Sequence, residues 1–365
     1  MFKFFILFFI IIIFFILNLK NNRLIYTYLC FNNQKINIKT KSNSWSRTAL
    51  ILKKYPKLKL CIGGHGGWLN GDNVVKMSLI ENEKGIIDFK DKLYILIDSR
   101  LSCRLLYKFL NKKNNFIGGF PDPFDISVGG VLSIGGVGLT SIKYGLLAEN
   151  VIEIYGFLKG TTEIKKLDNN LLCSLGRVGI ITYIKFKINV KENYKWFKIK
   201  ANKENINYKF LETKNVIHFI NIIKNNISII NYSIKTLESN INFKEDNIYN
   251  SSANWILSKT KNHKSPLWIS WIFPDLNSYL IFFNFADSKL INIDKYWHII
   301  LIGNTLKKRP SHYPLTNTKI SYCVSLYLFE KKKIWENLKK GILIQINNMA
   351  KEMKGREYLI NIKVS

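Results

Sequence analysis

Along the first half of the chain, short apolar runs rich in β-branched and aromatic residues alternate with clusters of glycine. The runs Leu58–Ile62, Leu93–Asp98, Val151–Phe157 and Gly179–Ile188 predict strands. Within Ser102–Asn111 the apolar residues Leu105, Leu106, Phe109 and Leu110 recur at helical spacing, which predicts a helix. From about Lys191 onward glycine nearly disappears and both periods recur. There Val216–Asn226 predicts a helix, Tyr279–Phe285 and Ile320–Phe329 predict strands, and Lys333–Met349 predicts a long helix. Strands mixed with helices imply α/β or α+β layers. The compositional shift places a domain boundary near residue 190, separating 24–190 from 191–365. No internal repeat is visible.

The opening residues follow a different pattern. Phe4 to Leu17 is an uninterrupted run of Phe, Ile and Leu, with Lys3 before it and Lys20 and Arg23 after it. The run is shorter than the about 20 residues of a typical membrane span and matches the apolar part of a signal peptide. No small-residue cleavage site follows, since Asn18, Leu19, Lys20, Asn21 and Asn22 come next. Residues 1–23 are therefore expected to be an anchor or signal segment that attaches the chain to a membrane, on a side the sequence does not define. A buried core helix is the alternative.

Composition narrows the partners. At 365 residues and 47% apolar content the chain can bury a large core, and its length suits two domains. A net charge of +30 invites a nucleic-acid reading. The basic residues, however, form no dense run, and Lys, Asn, Ile and Phe are inflated together as an A/T-rich coding sequence would produce. Nucleic acid is thus not the expected partner. The cysteines Cys30, Cys61, Cys103, Cys173 and Cys323 stand singly, with no CxxC pair, which argues against zinc or a disulfide framework and for buried reduced thiols.

Two glycine clusters carry the candidate chemistry. The first is Gly63-Gly64-His65-Gly66-Gly67-Trp68-Leu69-Asn70-Gly71-Asp72, directly after a predicted strand. The second runs from Val128-Gly129-Gly130 to Gly135-Gly136-Val137-Gly138. Glycine lets backbone approach a ligand, and successive free N–H groups form a concave anion-binding nest. Two such nests, with hydroxyls at Ser127, Ser133, Thr140 and Ser141, suit a pyrophosphate. Neither cluster has the spacing of a Rossmann turn or of a P-loop. Tight turns in a glycine-rich sheet remain the plain alternative.

The surrounding residues add a resemblance. The run from Phe120-Pro-Asp-Pro-Phe-Asp-Ile-Ser-Val-Gly-Gly-Val-Leu-Ser to Asn150-Val-Ile-Glu-Ile resembles the PCMH-type, vanillyl-alcohol-oxidase family of flavoproteins, with cytokinin dehydrogenases the nearest in pattern. Leu175-Gly-Arg-Val-Gly-Ile-Ile-Thr resembles a later block of that family, and Cys61 to Asn70 falls on its glycine-histidine loop. Order and approximate spacing agree over about residues 45–190. Weaker similarity continues through Pro266 to Asp275 and Lys307 to Pro310.

The resemblance implies an α+β fold: a two-subdomain PCMH-type FAD-binding domain followed by an α+β substrate, or cap, domain. It also implies FAD as cofactor. Ile62, Gly63, Gly64, His65 and Gly66 would form the pyrophosphate loop, closed by Asn70 and Gly71, and Asp122, Ser127, Ser133, Val137, Ile180 and Ile181 would line the rest. His65 matches the residue through which many relatives attach FAD covalently. Asp122 matches the family's catalytic aspartate, which accepts a substrate proton as hydride passes to flavin N5. The implied reaction is oxidation of a small amine or alcohol, with oxygen or a quinone-like molecule as electron acceptor. A related sugar-lactone, alditol or secondary-metabolite oxidase is the alternative enzyme. Departures also stand out. Ile62 replaces a family glycine, Gly66 a serine and Asn70 a glutamine. The closing Trp-x-x-Phe and Pro-Gly-Gln elements are missing before Ser365, so the cap is expected to be C-terminally shortened. These departures keep a third reading open, a degenerate membrane-anchored flavin-binding protein without activity.

Overall fold

The computed structural model describes residues 39–42, 44–62, 74–89, 93–121, 126–138, 140–174, 176–190, 195–201, 216–223, 226–233, 267–291, 293, 295–303, 318–328 and 341–358. The fold is α+β, built on three main sheets.

The smallest of these is parallel. Strands β1 (Lys39–Ser42), β2 (Lys59–Ile62) and β3 (Val74–Met77) pair in the order β1-β3-β2. Helix α1 (Trp45–Lys54) connects β1 to β2, the two strands that flank β3. Ser44 caps the helix by accepting a hydrogen bond from the Arg47 N–H at 3.3 Å. Trp45, Thr48, Ala49 and Leu52 recur at helical spacing and form its buried face. They meet Leu58, Val75, Met77 and, from the neighbouring sheet, Phe157 in a small core of their own.

The second sheet is antiparallel and five-stranded. Its order is β4 (Ile86–Asp88), β5 (Tyr94–Asp98), β9 (Gly179–Lys187), β7 (Val151–Leu158), β8 (Lys165–Leu167). Helix α2 (Cys103–Lys112), capped by Ser102, lays Cys103, Leu106 and Leu110 on one face of it. The short strands β6 (Asn115–Phe116) and β10 (Asn189–Val190) pair with each other. A register irregularity in the β7–β9 pair falls opposite Thr182, between the Tyr155–Tyr183 and Gly156–Ile181 pairs. An extra residue there reverses the alternation of sides. Ile181, Ile184 and Phe186 consequently enter the large core, while Ile180 and Tyr183 pack against the core of the small sheet.

The third sheet is antiparallel with seven strands. Its order is β11 (Lys195–Ala201), β13 (Asn226–Ser233), β12 (Val216–Ile223), β15 (Lys295–Gly303), β16 (Ile320–Leu328), β14 (Leu267–Phe273), β17 (Arg356–Tyr358). Helices α5 (Leu276–Lys289) and α6 (Ile342–Glu352) contact each other, and their buried residues join one sheet face in an aromatic core. Trp271 and Trp297 are fully buried there, with the Trp271 and Phe282 rings 4.9 Å apart. The opposite face sends Ile272, Ile300, Ile302 and Cys323 into the core of the five-stranded sheet. Gly303, at the end of β15, lies directly against the Ile142 backbone in helix α4 (Ser141–Tyr144). Sequence segments 24–190 and 191–365 thus meet across an apolar seam.

Several expectations change. Val216–Asn226 does not form a helix: residues 216–223 are β12, held between β13 and β15. Its β-branched content was the better guide than its apolar spacing. Tyr279–Phe285 is not a strand but the middle of α5. A continuous apolar run does not distinguish the two states. Asp275 decides, accepting from the Ser278 N–H at 2.8 Å as a helix cap. Within Lys333–Met349, residues 333–340 lie outside the described residues and the helix runs from Ile342 to Glu352. Residues 1–23 also lie outside them. Among the described residues no helix is long and apolar enough to cross a membrane.

Candidate functional site

The second glycine cluster is a helix rather than an open nest. Residues Val128–Ile134 form helix α3, which ends at Gly135 in the left-handed region, φ 74°. Ser127 is its cap: buried, it accepts from the Gly130 N–H at 3.2 Å. Ser133 turns back on the helix, its hydroxyl donating to the Gly129 carbonyl at 2.8 Å. Gly129 is needed because α3 crosses the turn after β5 at backbone distance. Its N–H donates to the Ser99 carbonyl at 2.8 Å, and a Cβ there would meet the Ser99 side chain.

Gly138 serves a chain crossing. Gly138 pairs with Pro121 in an isolated antiparallel bridge, and a Cβ at Gly138 would run into the Phe120 carbonyl. The Gly138 N–H donates to Ser141 Oγ at 2.9 Å, and the Gly119 N–H to Thr140 Oγ1 at 2.8 Å. The Asn150 amide then donates to the carbonyls of Gly118, Tyr144 and Leu146. Val137 is buried in the large core. The hydroxyls expected at a pyrophosphate therefore already hold protein backbone.

Other expected residues converge from the opposite direction. Ile62 ends β2 and, like Ile180, packs against the small core. Ile181 lies on the other side of β9, and its carbonyl accepts from Ser99 Oγ at 2.7 Å. Ser99 is the hub, since its N–H donates to the Thr182 carbonyl at 2.8 Å while its own carbonyl holds Gly129. Ile62, Ile180, Ile181 and Ser127 are thereby brought to the junction of the parallel and five-stranded sheets. Ser133 lies one turn further along α3, and Val137 behind it. Gly63, Gly64, His65, Gly66, Asn70, Gly71 and Asp122 lie outside the described residues.

Sequence reading missed three residues at this junction. Asp98, at the end of β5, is 6% exposed and accepts from Trp45 Nε1 at 3.2 Å and from Arg100 Nη2 at 2.6 Å. The Arg100 guanidinium lies 5.2 Å from the centre of the Trp45 ring. The available signal was an acid closing an apolar strand with an arginine two residues later, a pattern that predicts a buried ion pair. Burial, then the Asp98 charge, pushes the neighbouring Tyr183 hydroxyl pKa upward.

Reactive side chains elsewhere are muted. Burial pushes the Cys173 and Cys323 thiols up to about 12, and that of Cys103 upward as well, so all three remain protonated. Among the described residues no group of His, Cys, Asp and Glu has the arrangement of a metal site.

No family model matches the sequence, and no curated protein does. Solved structures do match. The grass pollen allergen Phl p 4, described as having glucose dehydrogenase activity, superposes with a TM-score of 0.66 at 14% identity, over 86% of this chain and 76% of that one. Physcomitrella patens BBE-like 1 gives 0.64 at 14% identity, over 89% and 83%. The Bermuda grass isoallergen BG60 gives 0.64 at 12% identity, over 86% and 76%. This chain shares their fold.

Proposed function

We propose that the chain is an FAD-dependent oxidoreductase that takes hydride from a small CH–OH or CH–NH donor. The observation that carries this reading is convergence. The sequence blocks that resemble the flavoprotein family, separated by over a hundred residues, meet at one junction through Ile62, Ile180, Ile181, Ser99 and Gly129. The residues at that junction suit a dinucleotide. The described hydroxyls there hold protein backbone, and the described buried carboxylate, Asp98, is matched by Arg100, so it opposes a diphosphate with no bare negative charge.

In this reading Ile62, Gly63, Gly64, His65 and Gly66, closed by Asn70 and Gly71, would hold the diphosphate, and Ile62 packs against the small core. When bound, FAD would supply the hydride acceptor at N5. Asp122 would take the proton from the donor's O–H or N–H, and His65 would be the point of covalent attachment. The apolar cores on both sides of the junction exclude water, as a hydride transfer requires.

Two donor classes remain distinct. The blocks around Asp122 and Leu175 favour a cytokinin-dehydrogenase-like CH–NH donor. The shared fold with Phl p 4 and its stated glucose dehydrogenase activity favours a sugar-type CH–OH donor. Oxygen or a quinone-like acceptor completes turnover, and Phe4–Leu17 holds the protein at a membrane. The deciding experiment is the visible spectrum of the purified protein, followed by acid precipitation. Flavin bands are expected, with the colour remaining in the pellet and lost from it in His65→Ala. A colourless protein that also fails to take up added FAD would sink the enzyme reading and leave the inactive scaffold. Bleaching by N6-substituted adenines or by aldoses then separates the donor classes.

A further inference from the structure

One end of the five-stranded sheet, opposite the end where Phe157 and Ile180 meet the small core, carries bare aliphatic side chains among lysines. Strands β5 and β7 begin there and β9 ends there, through the Tyr94–Lys187 and Val151–Phe186 pairs. The Ile188 N–H donates to the Leu93 carbonyl at 3.0 Å, and two residues further on Val190 pairs with Asn115 of β6. Asn115 follows closely on the last turn of α2, where Lys112, Lys113 and Asn114 are exposed. The ends of four segments are thus gathered in one place. Leu93 is 71% exposed there, Val190 73% and Ile152 47%.

Single exposed aliphatics are ordinary on a protein surface, whereas a gathered set with a polar rim marks a contact. The rim here is basic. Lys112, Lys113 and Lys187 are exposed, and the Lys185 ammonium lies 3.9 Å from the centre of the Tyr94 ring. The described carboxylates nearby are engaged. Glu153 accepts from Lys166 Nζ at 2.7 Å and from the Tyr155 hydroxyl at 2.8 Å, Asp88 accepts from the Tyr94 hydroxyl at 3.2 Å, and Glu149 Oε2 is buried. Aliphatic tips ringed by lysine suit a surface that is apolar within and anionic outside, which an acidic phospholipid bilayer offers. Nucleic acid would engage the lysines but leave the aliphatics in water.

We propose that this end of the sheet rests on an anionic membrane surface and orients the protein there. The proposal rests on the reading of Phe4–Leu17 as a membrane anchor. Residues 18–38 can extend to at most roughly 70 Å, so the anchor tethers the chain without choosing the face it presents. Leu93, Ile152 and Val190 make that choice by entering the headgroup layer, with Lys112, Lys113 and Lys187 against lipid phosphates. At about 3.3 Å per residue along β9, Ile181 lies about 20 Å from these tips. The junction of the parallel and five-stranded sheets therefore stays in water and takes a water-soluble donor.

The test floats the full chain on vesicles of phosphatidylcholine, with or without phosphatidylserine, and follows amide hydrogen exchange. Exchange around Leu93, Asn114 and Val190 should slow on phosphatidylserine vesicles and not on phosphatidylcholine ones, while α1 exchanges equally on both. Each lysine at such a surface strengthens docking about fivefold. Lys112→Gln/Lys113→Gln/Lys187→Gln should therefore return exchange at the tips nearly to its rate on phosphatidylcholine, as should Leu93→Ser/Val190→Ser. Lys53→Gln/Lys54→Gln/Lys57→Gln removes the same charge from the parallel-sheet unit and should keep the slowed exchange. Tips that exchange freely on vesicles carrying the chain, or equal effects of the two lysine sets, overturn the proposal and spare the anchor. Flotation with phosphatidylserine alone, lost in the Lys112, Lys113 and Lys187 variant, sinks the anchor reading and supports the proposal. A chain that floats with neither vesicle sinks both. A dimer in solution that Leu93→Ser/Val190→Ser breaks assigns the tips to a second copy and overturns the proposal.

Discussion

The five-stranded and seven-stranded sheets are held by opposite means. Around the five-stranded sheet, backbones cross at close range at Gly119, Gly129 and Gly138; the Thr140 and Ser141 hydroxyls accept from the Gly119 and Gly138 N–H groups, and the Ser99 carbonyl accepts from that of Gly129. Around the seven-stranded sheet, large rings fill the space between strands and helices: Trp271, Trp297, Tyr279, Phe282, Phe283 and Tyr322 are all almost fully buried. The first region suffers from any added atom, the second from any lost one. A site that must admit a planar cofactor between closely spaced loops belongs in the first. A wall that only has to keep its shape can be built the second way.

The largest expected effect tests whether the first region serves chemistry. Asp122→Asn should slow flavin reduction by about 10²–10⁴-fold, the usual contribution of a general base, with flavin retained. Stopped-flow absorbance with a competent donor measures it. Loss of flavin without a slower rate in the remaining holoprotein would make Asp122 part of the scaffold.

Next comes volume lost from the aromatic core. Trp271→Ala removes a ring that is 1% exposed and whose Nε1 donates to Asn347 Oδ1 at 3.1 Å. Urea unfolding should show a loss of about 3–5 kcal/mol. A loss below about 1 kcal/mol would mean that the core is not the rigid jigsaw inferred here.

Volume gained in the first region should cost somewhat less. Gly138→Ala pushes a methyl into the Phe120 carbonyl and is expected to destabilise by about 1–3 kcal/mol. Gly341→Ala, where no described residue lies within 4 Å of the new methyl, is the control and should stay within about 0.5 kcal/mol. Similar melting temperatures for the two variants would break the comparison.

The smallest effect concerns His298. Burial lowers its pKa from 6.5 to about 3. The unfolded chain takes up this proton as pH falls through 6.5, while the folded chain stays neutral until about 3. Stability from this residue is therefore complete above pH 6.5 and declines on acidification through that window, by about 1.4 kcal/mol per pH unit at most. Between pH 7 and 5.5 the parent protein should lose roughly 1 kcal/mol more than His298→Asn. Parallel pH profiles would place the imidazole in contact with water.

The four strands read from the first half of the chain, and the helix at Cys103–Lys112, were legible because each signal there has a local cause: β-branched runs for the strands and, for the helix, apolar spacing that opens at its Ser102 cap. Legibility fell in the second half because Ile, Phe and Asn are abundant everywhere. An apolar run such as Tyr279–Phe285 carries no period that separates strand from helix, and only Asp275 marks the helix start. At β12 the same abundance of isoleucine mimicked a helical face. The sequence pattern alone determined the mixture of strands and helices, the short β-branched strands and the two glycine clusters, because these depend on steric limits within a few residues; the choice of α+β over α/β came from the family resemblance. Only the tertiary structure decided that the second cluster is a capped helix, that Thr182 reverses the sides of β9, and that Asp98, Arg100 and Trp45 clamp two units together. Those outcomes depend on which distant backbone lies opposite, and the free energy that selects them comes from contacts far apart in sequence, 27 residues for Tyr155 and Thr182 and 53 for Trp45 and Asp98.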